Sequence, residues 1–303
     1  MKALILGIGG QDGSYLAEIL LENGWEVHGL YRRSSVNNLQ RIEHLKGQVT
    51  LHQGDITDLS SVAGVLDMVR PQQIYNLADQ DHVGHSYSSP GVSFDTTARA
   101  VATILHYVTN SMPENTRFFQ PVSATMYEGA LIPHKHNSLI SPKSPYAIAK
   151  VAAYHTARYY SRLSSHPIVT GIMYNHDSPR RGEDYLLHHI CRQVISNNSS
   201  AIRLGYPNLL VDIGYARDYM QDVYDLMQQG MSVEVPICSG KSYLARELCA
   251  MAGATSVEED ETYRRPNTPE PLVGSMVPLK RVLGERNRIP MEQLIEKIKE
   301  RYR

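Results

Sequence analysis

Lys2-Ala3-Leu4-Ile5-Leu6-Gly7-Ile8-Gly9-Gly10-Gln11-Asp12-Gly13-Ser14 is the stretch that decides the fold. Lys2–Leu6 is a short apolar run of the kind that forms a buried strand. The helical pattern Ser14–Asn23 follows, with Leu16, Ile19 and Leu20 on one face. Between them Gly7, Gly10 and Gly13 are spaced three apart. Glycines there permit a tight turn, close approach of backbone to a pyrophosphate, and tight helix–strand packing. A glycine-rich turn alone is a weak signal, but its place between a first strand and a first helix strengthens it.

Working outward, strands are expected at Trp25–Tyr31, Thr50–Gln53, Gln73–Leu77 and Arg117–Val122. Helical patterns at Ser60–Val69, Phe94–Thr109 and Ala147–Leu163 alternate with them. Such alternation predicts an α/β fold, a doubly wound parallel Rossmann sheet covered by helices on both faces. Residues 1–170 read as the dinucleotide-binding domain. From about 170 the pattern loosens, with short helices expected at Tyr185–Ile195, Arg217–Gln229, Ser242–Met251 and Met291–Arg301. Residues 171–303 therefore read as a smaller substrate-binding α/β part, with a soft boundary across which strands can return to the main sheet.

At the end of the second strand, where an acidic residue would bind the adenosine ribose, stand Arg32-Arg33-Ser34-Ser35. Two guanidiniums and two hydroxyls suit a 2′-phosphate, which favours NADP while leaving NAD open. Asp55-Ile56, after the third strand, is the expected place of adenine contact.

Ser144-Pro145-Tyr146-Ala147-Ile148-Ala149-Lys150 puts Tyr146 and Lys150 on one helical face. A phenol titrating near 10 is a poor acid–base group at neutral pH, but a neighbouring ammonium favours its ionised form. The lysine can also hold a nicotinamide ribose. Ser123, at the end of the Arg117–Val122 strand, can share a substrate alcohol's hydrogen bond with Tyr146.

Composition excludes several classes. The formal net charge of −1, with no basic tail, offers no electrostatic footprint for nucleic acid or anionic membrane. No stretch approaches a membrane span, and the first residues lack a signal peptide's cleavage pattern, so a cytoplasmic protein is expected. Cys191, Cys238 and Cys249 are too few and scattered for a disulfide framework and read as buried reduced thiols. His82–His85, His134–His136 and His188-His189 lack completing ligands, so no metal is expected.

With these residues placed, the chain resembles the extended short-chain dehydrogenase/reductases, and within them the GDP-mannose 4,6-dehydratase family. The resemblance is carried by Gly10–Glu18, Glu26–Leu30, Arg32–Ser35, Ile74–Ala78, His82–Gly84, Ser144–Lys150 and Asn175–Glu183. It implies a cytoplasmic enzyme acting on a GDP-linked sugar nucleotide, a homodimer or homotetramer whose tyrosine-marked helix (Tyr154, Tyr159, Tyr160) lies at the subunit contact. It implies cofactor contacts from Gly7, Gly10, Gln11, Asp12, Arg32, Arg33, Ser34, Ser35, Asp55, Ile56, Leu77, Gln80, Tyr146, Lys150, His176 and Arg181. Ser123, Asn175 and Arg265 would face the substrate.

Three departures qualify it. Where the dehydratase pattern carries a glutamate two residues after the hydroxyl residue, this chain has Thr125. A threonine has no carboxylate to take a carbon-bound proton, and Ser123-Ala124-Thr125 instead resembles the hexose 4-epimerases. Asp79 and Asp81 stand where the family carries small or hydroxyl residues, either paired and turned away or supplying a replacement acid or base. Val211 replaces the basic residue before Asp212. The leading expectation is hydride transfer at sugar C4 through Ser123, Tyr146 and Lys150, followed by re-reduction as in an epimerase or ketoreductase. The rivals are a 4,6-dehydratase in which Asp81 or Glu128 stands in for the glutamate, and a non-catalytic dinucleotide-sensing protein.

Overall fold

The computed structural model describes residues 1–196 and 201–303 and divides into two compact units. The first comprises Met1–Met126, Pro142–Met173 and Met220–Val235. Its elements in chain order are β1 (Lys2–Leu6), α1 (Gln11–Glu22), β2 (Glu26–Tyr31), β3 (Val49–Gln53), α2 (Leu59–Val69), β4 (Gln73–Asn76), α3 (Val83–Ser88), α4 (Pro90–Ser93), α5 (Ala100–Ser111), β5 (Arg117–Ser123), α6 (Pro145–Leu163) and β6 (Ile168–Met173). Strands β1 to β6 pair in parallel, in the spatial order β6-β5-β4-β1-β2-β3. The order reverses at β1. Open α/β sheets bind ligands outside the carboxyl ends of the strands at such a point.

The central strands are rich in apolar residues because both faces are covered. Leu4, Ile5 and Leu6 of β1, Tyr75 of β4 and Phe118 and Phe119 of β5 are fully buried. At the sheet edge β3 leaves Leu51 exposed. Helix starts follow the side chains that supply them. Asp58 accepts the Ser60 N–H at 3.0 Å to cap α2. Ser144 accepts the Ala147 N–H at 3.1 Å to cap α6, with Pro145 in its first turn.

The helix expected at Phe94–Thr109 is not uniform. Phe94–Arg99 is a π-helical turn and only Ala100–Ser111 is α-helical. The wide turn brings Thr97 inward, 1% exposed, where its hydroxyl donates to the Asp79 carboxylate.

The second unit is Tyr127–Ser141, Tyr174–Tyr219 and Pro236–Arg303. Its boundary therefore does not run once through the chain near residue 170. An early segment belongs to the second unit, and Met220–Val235 belongs to the first. After β7 (Asn175–Asp177), α7 (Leu186–Ser196), β8 (Ile202–Leu204), β9 (Leu210–Tyr215) and α8 (Ala216–Gln228) comes β10 (Val233–Ile237), the outer neighbour of β6. Then follow β11 (Ser242–Leu244), α9 (Ala245–Ala252), β12 (Val257–Glu259), α10 (Val277–Leu283) and α11 (Met291–Lys299). The start of the helix expected at Ser242–Met251 is thus a strand. Tyr243 pairs antiparallel with Val211 of β9, and the helix begins only where Glu247 accepts the Leu244 N–H at 2.7 Å. The unit's core joins Leu187 and Ile190 of α7, Leu248 of α9 and Leu294, Ile295 and Ile298 of α11. Among the described residues no helix is long and apolar enough to cross a membrane.

Candidate active site

In the first unit the predicted residues gather at the carboxyl ends of the parallel strands. Gly7 follows β1 with φ +85°, and a Cβ there would lie 2.8 Å from the Ala78 backbone that follows β4. At Gly13 a Cβ would lie 2.4 Å from the Gly7 carbonyl oxygen. Side chains are thus excluded at Gly7 and Gly13, and Gly10 caps α1 without a side chain of its own. That leaves a backbone cradle opening at a helix N-terminus, which fits a dinucleotide pyrophosphate. Arg32, Arg33, Ser34 and Ser35 follow β2 and are all exposed. Asp55, after β3, accepts the Thr57 N–H at 2.9 Å and its hydroxyl at 2.7 Å, and Ile56 beside it is buried. Gln80 donates to the His82 carbonyl at 2.9 Å and accepts from Ser93 at 3.2 Å.

The catalytic candidates meet at the start of α6. Ser123 is the last residue of β5, and Tyr146 and Lys150 are 7% and 4% exposed. The Lys150 ammonium lies 5.6 Å from the centre of the Tyr146 ring, and the Ser123 hydroxyl acts on the phenol to lower its pKa. Thr125 donates to the Ser123 Oγ from both its hydroxyl, at 3.0 Å, and its N–H, at 3.3 Å. The position two residues after Ser123, expected to hold a carboxylate in a dehydratase, therefore supplies a hydroxyl directed at Ser123.

Asp79 enters this site directly. Its carboxylate forms an ion pair with Lys150, with side-chain exposures of 12% and 6%. It also accepts from the Thr97 hydroxyl and, at 2.7 Å, from the Gln80 N–H. Burial lowers the pKa of the Lys150 ammonium, but Asp79, Tyr146 and Asp81 more than reverse this and hold it above the ordinary lysine range. Burial pushes the Tyr146 phenol up. Lys150 opposes that shift and Asp79 reinforces it, and the phenol stays above its usual value. The ammonium expected to favour the phenolate is thus itself paired with a countercharge.

In the second unit Asn175 is exposed on β7. His176 places Nδ1 2.7 Å from the Tyr174 carbonyl, and its ring lies 5.1 Å from that of Tyr219. The Arg181 guanidinium stacks 3.6 Å above the Tyr185 ring. The Arg265 N–H donates to the Tyr206 hydroxyl at 3.2 Å. Buried Asp212 accepts from Ser239 at 2.6 Å and from the Gly274 N–H at 3.2 Å, so its carboxylate knits loops together behind Val211.

A family profile described as GDP-mannose 4,6 dehydratase matches residues 4–298. The chain belongs to the GDP-mannose 4,6-dehydratase family. Its relatives include a GDP-mannose 4,6-dehydratase of Yersinia enterocolitica, 38% identical over 83% of this chain and 71% of that one. A second is the GDP-mannose 4,6 dehydratase 2 of Caenorhabditis elegans, 32% identical over 98% and 87%. The fold matches that of a Thermus thermophilus UDP-glucose 4-epimerase solved with NAD, at TM-score 0.86 and 19% identity over 100% and 99% of the two chains. Membership of the family makes this an NAD(P)-dependent extended short-chain dehydrogenase/reductase acting on nucleotide sugars.

Against that family background, Thr97 was not legible as a site residue. The signal was present, because Thr97 lies four residues before Val101 on the stripe that continues through Ile104 and Val108, all buried. A hydroxyl on an inward stripe needs a partner. That Lys150 would pair with Asp79, 71 residues earlier, had no local signature.

Proposed function

We propose that this family member moves hydride at C4 of a GDP-mannose-like sugar nucleotide and then re-reduces the keto sugar rather than eliminating water. The observation that carries this reading is Thr125, whose hydroxyl and N–H are both spent on Ser123, where a carboxylate would be needed to take a proton from carbon. A bound nicotinamide supplies hydride exchange with the sugar carbon. Tyr146 exchanges the proton of the C4 hydroxyl, Ser123 holds that hydroxyl in line with it, and Lys150 sets the charge beside them. Asn175 and Arg265 are proposed for the substrate, Gly7 to Gly13 for the pyrophosphate. The exposed Arg32, Arg33, Ser34 and Ser35 favour NADP over NAD. A cytoplasmic dimer or tetramer fits this reading.

The test is mass spectrometry of GDP-mannose incubated with the protein and either cofactor. A product lighter by one water would overturn the reading, whereas a chromatographically distinct isomer of unchanged mass supports it. Thr125→Glu is expected to create water loss where the natural chain shows none. Asp81 favours the dehydratase reading, since its charge acts on both Tyr146 and Lys150. Under that reading Asp81→Asn abolishes water loss.

A further inference from the structure

We propose that Asp79 is a positioning residue that claims the Lys150 ammonium, withholds its charge from the Tyr146 hydroxyl, and so biases the site toward reducing keto sugars. This rests on the hydride-transfer reading above and adds a direction to it.

The argument starts from burial. A buried ammonium and a buried carboxylate each pay a desolvation penalty that only close, well-hydrogen-bonded pairing offsets. Lys150 and Asp79 meet that condition, with Thr97 and the Gln80 N–H satisfying the carboxylate from its other sides. The pair is therefore the resting arrangement of Lys150, and its net charge is near zero. The charged groups acting on the Tyr146 hydroxyl are Lys150 from α6 itself and Asp79 and Asp81 from the segment after β4. Of the other elements packed on α6, the π-helical turn presents the Thr97 hydroxyl to Asp79 and β5 the Ser123 hydroxyl to Tyr146. No charge from α3, α4, α5 or β6 acts on the phenol as strongly.

Lys150 thus acts on the phenol against two carboxylates, Asp79 and Asp81. In the reductive direction the carbonyl carbon receives the hydride supplied by a reduced nicotinamide, and the carbonyl oxygen receives the Tyr146 proton. Water then returns a proton to the phenolate. Oxidation needs the phenolate first, and the Asp79 carboxylate opposes its formation. In the proposed cycle the initial oxidation of the alcohol is therefore the half-reaction this site disfavours at neutral pH, and the re-reduction the half it favours.

The direct test needs no turnover. With tyrosine labelled by carbon-13 at Cζ, the resonance absent from Tyr146→Phe identifies Tyr146, and its titration is followed in the natural chain and in Asp79→Asn. The expected natural-chain midpoint lies at or above that of a free phenol, and Asp79→Asn lowers it by a unit or more. A natural-chain midpoint well below 9, about one unit under the free phenol, overturns the proposal, even if the variant does not fold. So does an unchanged midpoint in a folded variant. In turnover, the acid limb of kcat/KM for alcohol oxidation moves to lower pH in Asp79→Asn. If no sugar nucleotide reacts but the titration behaves as stated, the substrate assignment fails and the role of Asp79 stands.

Discussion

At the scale of single residues, the placing of Ser123, Tyr146 and Lys150 was readable because it is local to one strand end and one helix turn. The i, i+4 spacing of Tyr146 and Lys150 fixes a common face whatever the rest of the chain does. What surrounds them was not readable, because the Asp79 partnership joins distant parts of the chain through the sheet. Tyr146→Phe keeps the ring that fills the buried start of α6 and removes only the hydroxyl. We expect it to lower kcat about 10²- to 10⁴-fold, the range for losing a positioned proton-transfer group. Binding of reduced nicotinamide, followed by its fluorescence, should change little. A variant that loses cofactor binding as severely as turnover would show that Tyr146 acts in binding. Lys150→Met should do more than slow turnover. It leaves the Asp79 carboxylate buried without its countercharge, a change that costs about 3–5 kcal/mol in other buried pairs. A lowered urea midpoint in Lys150→Met, restored in part by adding Asp79→Asn, is the expected pattern. Equal midpoints in both would refute the pairing.

At the scale of elements, the parallel sheet and its glycine turn were legible, since buried strands write themselves as apolar runs and the turn as spaced glycines. The short strands of the second unit were not. Ser242–Leu244 is three residues long and leads directly into α9, so its residues merge with the helical pattern, and only pairing with β9 makes them a strand. Two glycines separate a functional turn from an incidental one. Gly13 has no room for a Cβ, with Gly7 O at 2.4 Å and the Ile8 Cα at 2.8 Å, both backbone atoms that cannot swing away. Gly64 lies exposed inside α2 with nothing near its Cβ position. We expect Gly13→Ala to destabilise the first unit and weaken cofactor binding at least tenfold. Gly64→Ala should stabilise by about 0.5–1 kcal/mol through helix propensity, leaving cofactor affinity unchanged. Calorimetric cofactor titration and denaturant unfolding of the two variants check both halves. A Gly13→Ala protein that binds as tightly as the natural chain would remove the pyrophosphate role from that turn.

At the scale of the whole molecule, the second unit is assembled from three separated stretches, which no reading of local pattern could delimit. Its buried charges nonetheless leave a measurable mark on stability. Asp177 is 2% exposed, and burial pushes its carboxyl from 3.8 up to about 7, against the opposing pull of Arg181 and the N–H of Ser178. His188 lies 3.8 Å away, but burial also drives its pKa down, so it remains a neutral neighbour above its own lowered value. Between about pH 4 and pH 7 the folded chain therefore keeps a proton on Asp177 that the unfolded chain has released. With more protons bound in the folded state, stability falls as pH rises through this window, by at most about 1.4 kcal/mol per pH unit for one proton. Below the window both states hold the proton and above it both have lost it, so the contribution is flat on either side. Asp177→Asn keeps an oxygen to accept the Ser178 N–H, placed at 3.1 Å, but cannot ionise. Its urea midpoint should therefore gain on that of the natural chain as the buffer is taken from pH 4 to pH 7, with no further gain above. The comparison cancels the titrating groups remote from Asp177, because both proteins share them. Parallel midpoint curves for the two proteins across this range would mean that Asp177 is ionised in the fold and held by Arg181 despite its burial.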